Sequence, residues 1–149
     1  MSCPRWDDIR AGAEPEPMVI GPVTRTDFVR YQGASGDMNP VHHDEPFATN
    51  AGYPAPLGVG MFHAGVLTTW ATNWLGPRNV RRVKIRWKAP VFPGDVLTCS
   101  GTIAKKYRTD AGERRVDLDL VCANQDGAVA VQGWASFVVL PNKDEEEMS

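Results

Sequence analysis

The chain has 149 residues, 42% of them apolar and 23% charged, with a formal charge of −2. That length suits one domain with a single core, and the charge gives no general electrostatic case for nucleic acid or an anionic membrane. The longest apolar stretch, 57–75, is broken by His63, Asn73 and threonines, which argues against a membrane span.

Residues 1–17 are rich in Pro, Glu and Asp and read as an irregular lead-in. They lack the apolar run of a signal peptide and do not read as an arginine-rich transit peptide. Residues 18–20 suggest a short strand, stopped by Gly21-Pro22. Thr24 then reads as an N-cap, with Asp27 at the acid-favouring position three residues on. A short helix over 25–32 should end at Gly33 and Gly36. The stretch Asp37–Asp44 is then a loop, since Pro40 drives Asn39 out of the helical region. One more helical turn fits 45–50, followed by the Pro/Gly loop 52–58. The longest helix spans 61–75, behind Gly58-Val59-Gly60, and Gly76-Pro77 stops it. Its apolar residues cover most of the circumference, which predicts burial nearly all round.

After Pro77 the period changes from 3.6 to 2. In 82–88, Val83, Ile85 and Trp87 alternate with Arg82, Lys84, Arg86 and Lys88. This predicts a strand with one apolar and one basic face, the basic face being solvated and opposite acids such as Asp117 and Asp119. Further strands are expected over 96–107, 116–122 and 128–140, with turns at 93–95, 109–112 and 124–127. The last strand is apolar on both faces, which predicts a central position or a subunit contact. Residues 141–149 form an acidic tail, leaving 18–140 as the single domain. Helices followed by a run of strands give an α+β class, with the long helix hidden if the sheet curls around it. The odd count of three cysteines, Cys3, Cys99 and Cys122, reads as free thiols in a reducing compartment, with the cytoplasm as the default.

Chemistry concentrates in Ala34–Asp44, which holds Asp37, Asn39, His42, His43 and Asp44. A turn can bring Asp37 and His42 to one point, where a carboxylate and an imidazole can share and activate a water. Asp37 could equally cap its own turn. Asn39 reads as a turn former with a supporting role. His42, His43 and Asp44 as metal ligands are disfavoured, because adjacent residues seldom bind one ion together. His63 reads as a core or interface histidine. Ser35 and Thr68 lack a visible partner base, and Cys99 and Cys122 read as packing. At Gly60 a helix N-terminus offers an unpaired amide that a ligand oxygen can approach.

The run Tyr31-Gln32-Gly33-Ala34-Ser35-Gly36-Asp37-Met38-Asn39-Pro40-Val41-His42, followed by Ala48, resembles the hydratase motif of the MaoC-like (R)-specific enoyl-CoA hydratases and 3-hydroxyacyl-thioester dehydratases. Gly58-Val59-Gly60-Met61 resembles the start of that family's central helix. Pro90-Val91-Phe92-Pro93-Gly94-Asp95 resembles a turn that follows it. The resemblance implies a hotdog fold, a curved antiparallel sheet around one long helix, and a dimer. It implies reversible syn addition of water to trans-2-enoyl thioesters, with Asp37 and His42 handling the water and the Gly60 amide polarising the thioester carbonyl. It calls for no metal or redox cofactor. Ala34 and Val59 depart from the motif, Val59 standing where a His often precedes the helix glycine.

The expected partner is therefore an acyl thioester of CoA or acyl carrier protein, bound by a homodimer or heterodimer, with no nucleic acid or membrane involved. Two other readings stay open. A hotdog thioesterase would hydrolyse the same ester, although its chemistry does not call for this Asp/His pair. A non-catalytic dehydratase-like subunit would shape a partner's pocket, although the presence of both Asp37 and His42 argues against it.

Overall fold

The computed structural model describes residues 3–142. In chain order the elements are strand β1 (Met18–Ile20), helices α1 (Arg25–Ser35), α2 (Glu45–Asn50) and α3 (Gly60–Leu75), and strands β2 (Val80–Trp87), β3 (Leu97–Arg108), β4 (Arg114–Ala123) and β5 (Val129–Val138). The strands form one antiparallel sheet in the order β1-β3-β4-β5-β2. Helix α3 lies against all four long strands, so the sheet wraps a single helix as expected. Among the described residues no helix is long and apolar enough to cross a membrane.

The core is the interface of α3 with the inward sheet face. Leu67, Ala71 and Leu75 meet Leu97, Cys99, Ile103, Val116, Leu118, Leu120, Cys122, Val131, Ala135 and Phe137. Their alternation along β3, β4 and β5 is the period-2 pattern of a half-buried strand. Burial of α3 is narrower than its composition suggested. Met61, Gly65, Thr69 and Asn73 form an exposed stripe at four-residue spacing, while His63, Ala64, Leu67, Trp70, Ala71 and Leu75 are buried. Strand β5 is paired on both edges, by β4 and β2, which accounts for its two-sided apolar pattern without a subunit contact.

The start of the chain is irregular but fastened to the sheet. The Trp6 amide donates to the Leu140 carbonyl, and Gly12 and Ala13 exchange backbone hydrogen bonds with Ile103. The Lys106 ammonium sits 4.3 Å from the Trp6 ring centre and donates to the Trp6 and Ile9 carbonyls. The Trp70 indole donates to the Glu16 carbonyl and ties this strap to α3. Pro141 and Asn142 belong to the same contact, through Arg5 and Asp7. The expected acidic tail otherwise falls on residues 143–149, outside the described residues. Cys99 and Cys122 are buried free thiols facing each other across β3 and β4, and Cys3 is free and half-buried.

Candidate active site

Helix α1 begins at a complete capping box. Thr24 Oγ1 accepts from the Asp27 amide, and Asp27 accepts from the Thr24 amide. The Thr24 hydroxyl and amide both donate to Asp27 Oδ2 and hold the Asp27 carboxyl below its ordinary range. The helix continues through Gly33 to Ser35, past the predicted stop. It ends where Gly36 takes a left-handed φ of 77° and its amide bonds the Gln32 carbonyl. The extra turn carries the chain to the start of the polar loop.

Gln32 anchors that loop. Its buried side-chain amide donates to the Asp37 carbonyl at 2.8 Å and the Asn39 carbonyl at 3.2 Å, and its Oε1 pairs with His43 Nδ1 at 3.1 Å. Asn39 Oδ1 accepts from the Val41 amide and caps the tight turn Pro40–His42. Asp44 Oδ1 accepts from the Phe47 amide and caps α2. Asn39, His43 and Asp44 are thus committed to shaping the loop.

Asp37 divides its two oxygens. Oδ1 accepts from the Asn39 amide at 3.2 Å, a local turn, and Oδ2 lies 3.8 Å from His42 Nε2. The other ring nitrogen of His42, Nδ1, is 2.8 Å from the Leu57 carbonyl. A carbonyl only accepts, so Nδ1 carries the hydrogen, and in the neutral ring Nε2 is left as an acceptor facing Asp37. His42 is buried, whereas the Asp37 side chain is 46% exposed. The structure therefore places these two predicted residues together at the solvent edge of the loop.

His42 and Gly60 line one cavity of about 300 Å³, with Tyr53, Leu57, Gly58, His63, Trp87, Lys88, Ala89 and Pro90. Gly60 is the first residue of α3, where backbone amides have no partner within the helix. Its carbonyl accepts from the Trp87 indole at 2.8 Å, and a Cβ added at Gly60 would stand 2.9 Å from that indole nitrogen. Glycine is what lets the ring lie against the helix start. Trp87 itself is a correction to the alternation along 82–88. It ends β2 49% exposed, over the mouth of the cavity, while Val83 and Ile85 stay half-buried. Its position after Arg86 and before Lys88-Ala89-Pro90, where pairing stops, is the one sequence signal for that role.

His63 is also corrected in part. It is buried on α3, as expected, but it lines the same cavity as His42 and Gly60. Burial, helped by the neighbouring His42, lowers its pKa to about 4. Ser35 Oγ accepts from the Asp37 amide, and Thr68 Oγ1 donates to the Ala64 carbonyl, so both hydroxyls serve the backbone. The basic row Arg82, Lys84, Arg86 lies on the outer sheet face. Lys84 and Arg86 sit over the Trp134 ring, at 5.5 and 6.0 Å, and the rows of Arg82 and Lys84 hold Asp117 and Asp119 respectively.

Residues 9–121 match the family model described as MaoC like domain. The chain belongs to the MaoC-like family. The 3-hydroxyacyl-thioester dehydratase Y of Mycobacterium tuberculosis is 36% identical over 111 residues, which are 72% of this chain and 36% of that protein. This chain thus spans about a third of that relative. The (R)-specific enoyl-CoA hydratase of Rhodospirillum rubrum is 27% identical over 90% of both chains. An (R)-hydratase from A. caviae involved in PHA biosynthesis superposes with a TM-score of 0.76 at 25% identity, covering 89% of this chain and 98% of that one. The fold is accordingly the hotdog expected from the motif, and the family is one of hydratases and dehydratases.

Proposed function

We propose that this protein is a hydro-lyase that interconverts trans-2-enoyl and (R)-3-hydroxyacyl thioesters of CoA or acyl carrier protein. The observation that supports it is the Asp37 carboxylate 3.8 Å from His42 Nε2, beside a cavity whose other wall is the Gly60 helix start. That gap is too long for a direct hydrogen bond and suits one water donating to both groups. The thioester makes the β-carbon electrophilic. As the water oxygen bonds to that carbon, Asp37 or His42 takes one of its protons, and a proton from the pair is returned to the α-carbon. Syn addition, as the resemblance implies, requires both acceptors to stand on one side of the substrate. Negative charge gathers on the thioester oxygen, where the Gly60 amide receives it; one such donor is worth roughly 3–4 kcal/mol of barrier. Asn39 supports the pair by setting the turn.

The working form is proposed to be a dimer, of two copies or with a related chain, joined along the edge of β2 that has no strand beside it among the described residues. The facing free thiols of Cys99 and Cys122 support a reducing compartment, taken here as the cytoplasm.

The test is purified protein with crotonyl-CoA, following the conjugated enoyl absorbance and free thiol together. Loss of absorbance without thiol is expected. Thiol release would instead indicate a thioesterase, and no change in either would indicate a non-catalytic subunit. Asp37→Asn and His42→Ala should each lower kcat by about two orders of magnitude or more, with circular dichroism unchanged. Near-normal turnover in either variant removes that residue from the mechanism.

A further inference from the structure

One buried side chain reaches the backbone of both members of the proposed pair. Gln32, in the last turn of α1, is 2% exposed, and its Nε2 donates to the Asp37 carbonyl at 2.8 Å and to the Asn39 carbonyl at 3.2 Å. The Asn39 carbonyl also accepts from the His42 amide at 3.1 Å. A single NH2 group thus holds Asp37 directly and His42 through one shared oxygen, with both of its hydrogens in use. The amide is oriented from its other end. Gln32 Oε1 lies 3.1 Å from His43 Nδ1, which therefore carries a hydrogen. Turning the amide over would set its oxygen against two carbonyl oxygens. The side chains of the pair do not lock each other in place: at 3.8 Å they make no direct bond, and the Asp37 carboxylate is 46% exposed. The other bonds of Asp37 reach only Ser35 and Asn39, two residues away on either side. Its tie to the body of α1, among the described residues, is the Gln32 amide.

We propose that Gln32 is a positioning residue for the reaction: its amide sets the gap between Asp37 and His42, and His43 holds that amide in the working orientation. This rests on the reading of Asp37 and His42 as the pair that handles water, and adds the device that spaces them. Displacing a reacting group by about 1 Å can cost about a hundredfold in rate. Neither Gln32 nor His43 lines the cavity. Loss of the device should therefore slow turnover and spare substrate binding.

The experiment is crotonyl-CoA hydration by Gln32→Met, which keeps length and bulk but neither donates to the two carbonyls nor accepts well from His43. Its kcat should fall by about tenfold to a hundredfold, with KM and calorimetric binding of unreactive butyryl-CoA within about twofold of the wild type. Joined to Asp37→Asn, it should add no more than about threefold to the loss from Asp37→Asn alone, because Gln32 acts through that carboxylate. His43→Phe should also lower kcat, and His43→Asn, whose amide nitrogen can replace Nδ1 as donor, should recover most of that loss. If Gln32→Met does not fold by circular dichroism, the His43 pair carries the test. A kcat for Gln32→Met within about threefold of the wild type overturns the proposal. So does a loss confined to KM, a double variant whose losses multiply, or a His43→Asn no better than His43→Phe. Nitrogen-15 resonances of the His42 ring, read at one pH, make the test independent of turnover, and they should move in Gln32→Met. Hydration with unaltered Gln32→Met kinetics defeats this inference alone. If the wild type does not hydrate crotonyl-CoA, the reaction falls. Moved His42 resonances then leave the hold of Gln32 on the pair standing, and unmoved ones overturn it too.

Discussion

At the scale of single residues, the two readings of Asp37 turn out to be compatible, because a carboxylate has two oxygens. Oδ1 makes the local turn and Oδ2 faces His42. The same loop shows why Gln32 escaped notice. A glutamine near a helix end has no distinctive pattern, and its value lies in two carbonyls brought under it only after the chain turns back. His63 also shapes stability. Its pKa is lowered to about 4 in the folded protein, from 6.5 when free, so between these values the unfolded chain binds more protons. Stability from this residue is therefore present above pH 6.5 and is lost as pH falls toward 4, up to about 3 kcal/mol in all. Urea unfolding at pH 7 and pH 5 should show the midpoint falling at the lower pH. His63→Leu should flatten that fall, and an unchanged pH dependence in the variant would show that His63 does not carry it.

Among the elements, β3 is closely packed at Gly101, between β4 and helix α3. A Cβ added at Gly101 would stand 2.9 Å from the Trp70 ring, 2.8 Å from Leu120 and 2.7 Å from the Asp119 carbonyl. The backbone oxygen cannot swing away as a side chain could. Gly101→Ala should therefore destabilise by about 1–3 kcal/mol, read as a lower urea midpoint, whereas Gly112→Ala tests a left-handed turn position with open space around it. Equal midpoints for Gly101→Ala and wild type would show that the sheet relaxes freely there. Strand alternation and turn residues made β2 through β5 legible to within a few residues, because a period of 2 has few competing explanations. Helix α1 was less legible. Gly33 reads as a stop, but a helical glycine costs only about 1 kcal/mol, and the stop that operates is Gly36 with its left-handed φ. The exposed stripe Met61-Gly65-Thr69-Asn73 was also hidden, because composition does not say how far a sheet curls. Neither was the fastening of residues 5–13, whose hydrogen bonds run to partners about a hundred residues away.

For the whole molecule, the sheet order leaves β2 at an edge, and this is where the case for a dimer now rests. The two-sided apolar pattern of β5 is explained by its two neighbours, so it no longer argues for a subunit contact. Along β2, by contrast, one side of the backbone pairs with β5 and the other has no strand beside it among the described residues. An open edge eight residues long readily pairs with another chain. An antiparallel β2–β2 contact would join two sheets about a two-fold axis. It would also bring the partner toward Trp87, which ends β2 over the cavity mouth. Assembly and catalysis should then be coupled. Light scattering is expected to give about twice the 16.4 kDa chain mass at micromolar concentration. On dilution through the dissociation range, specific activity on crotonyl-CoA should fall in step with the dimer fraction. Hydrogen exchange in β2 should rise over the same range, because its outward amides lose their partners. A monomer with full, concentration-independent activity would show that the cavity is complete within one chain and that the β2 edge serves no assembly in catalysis.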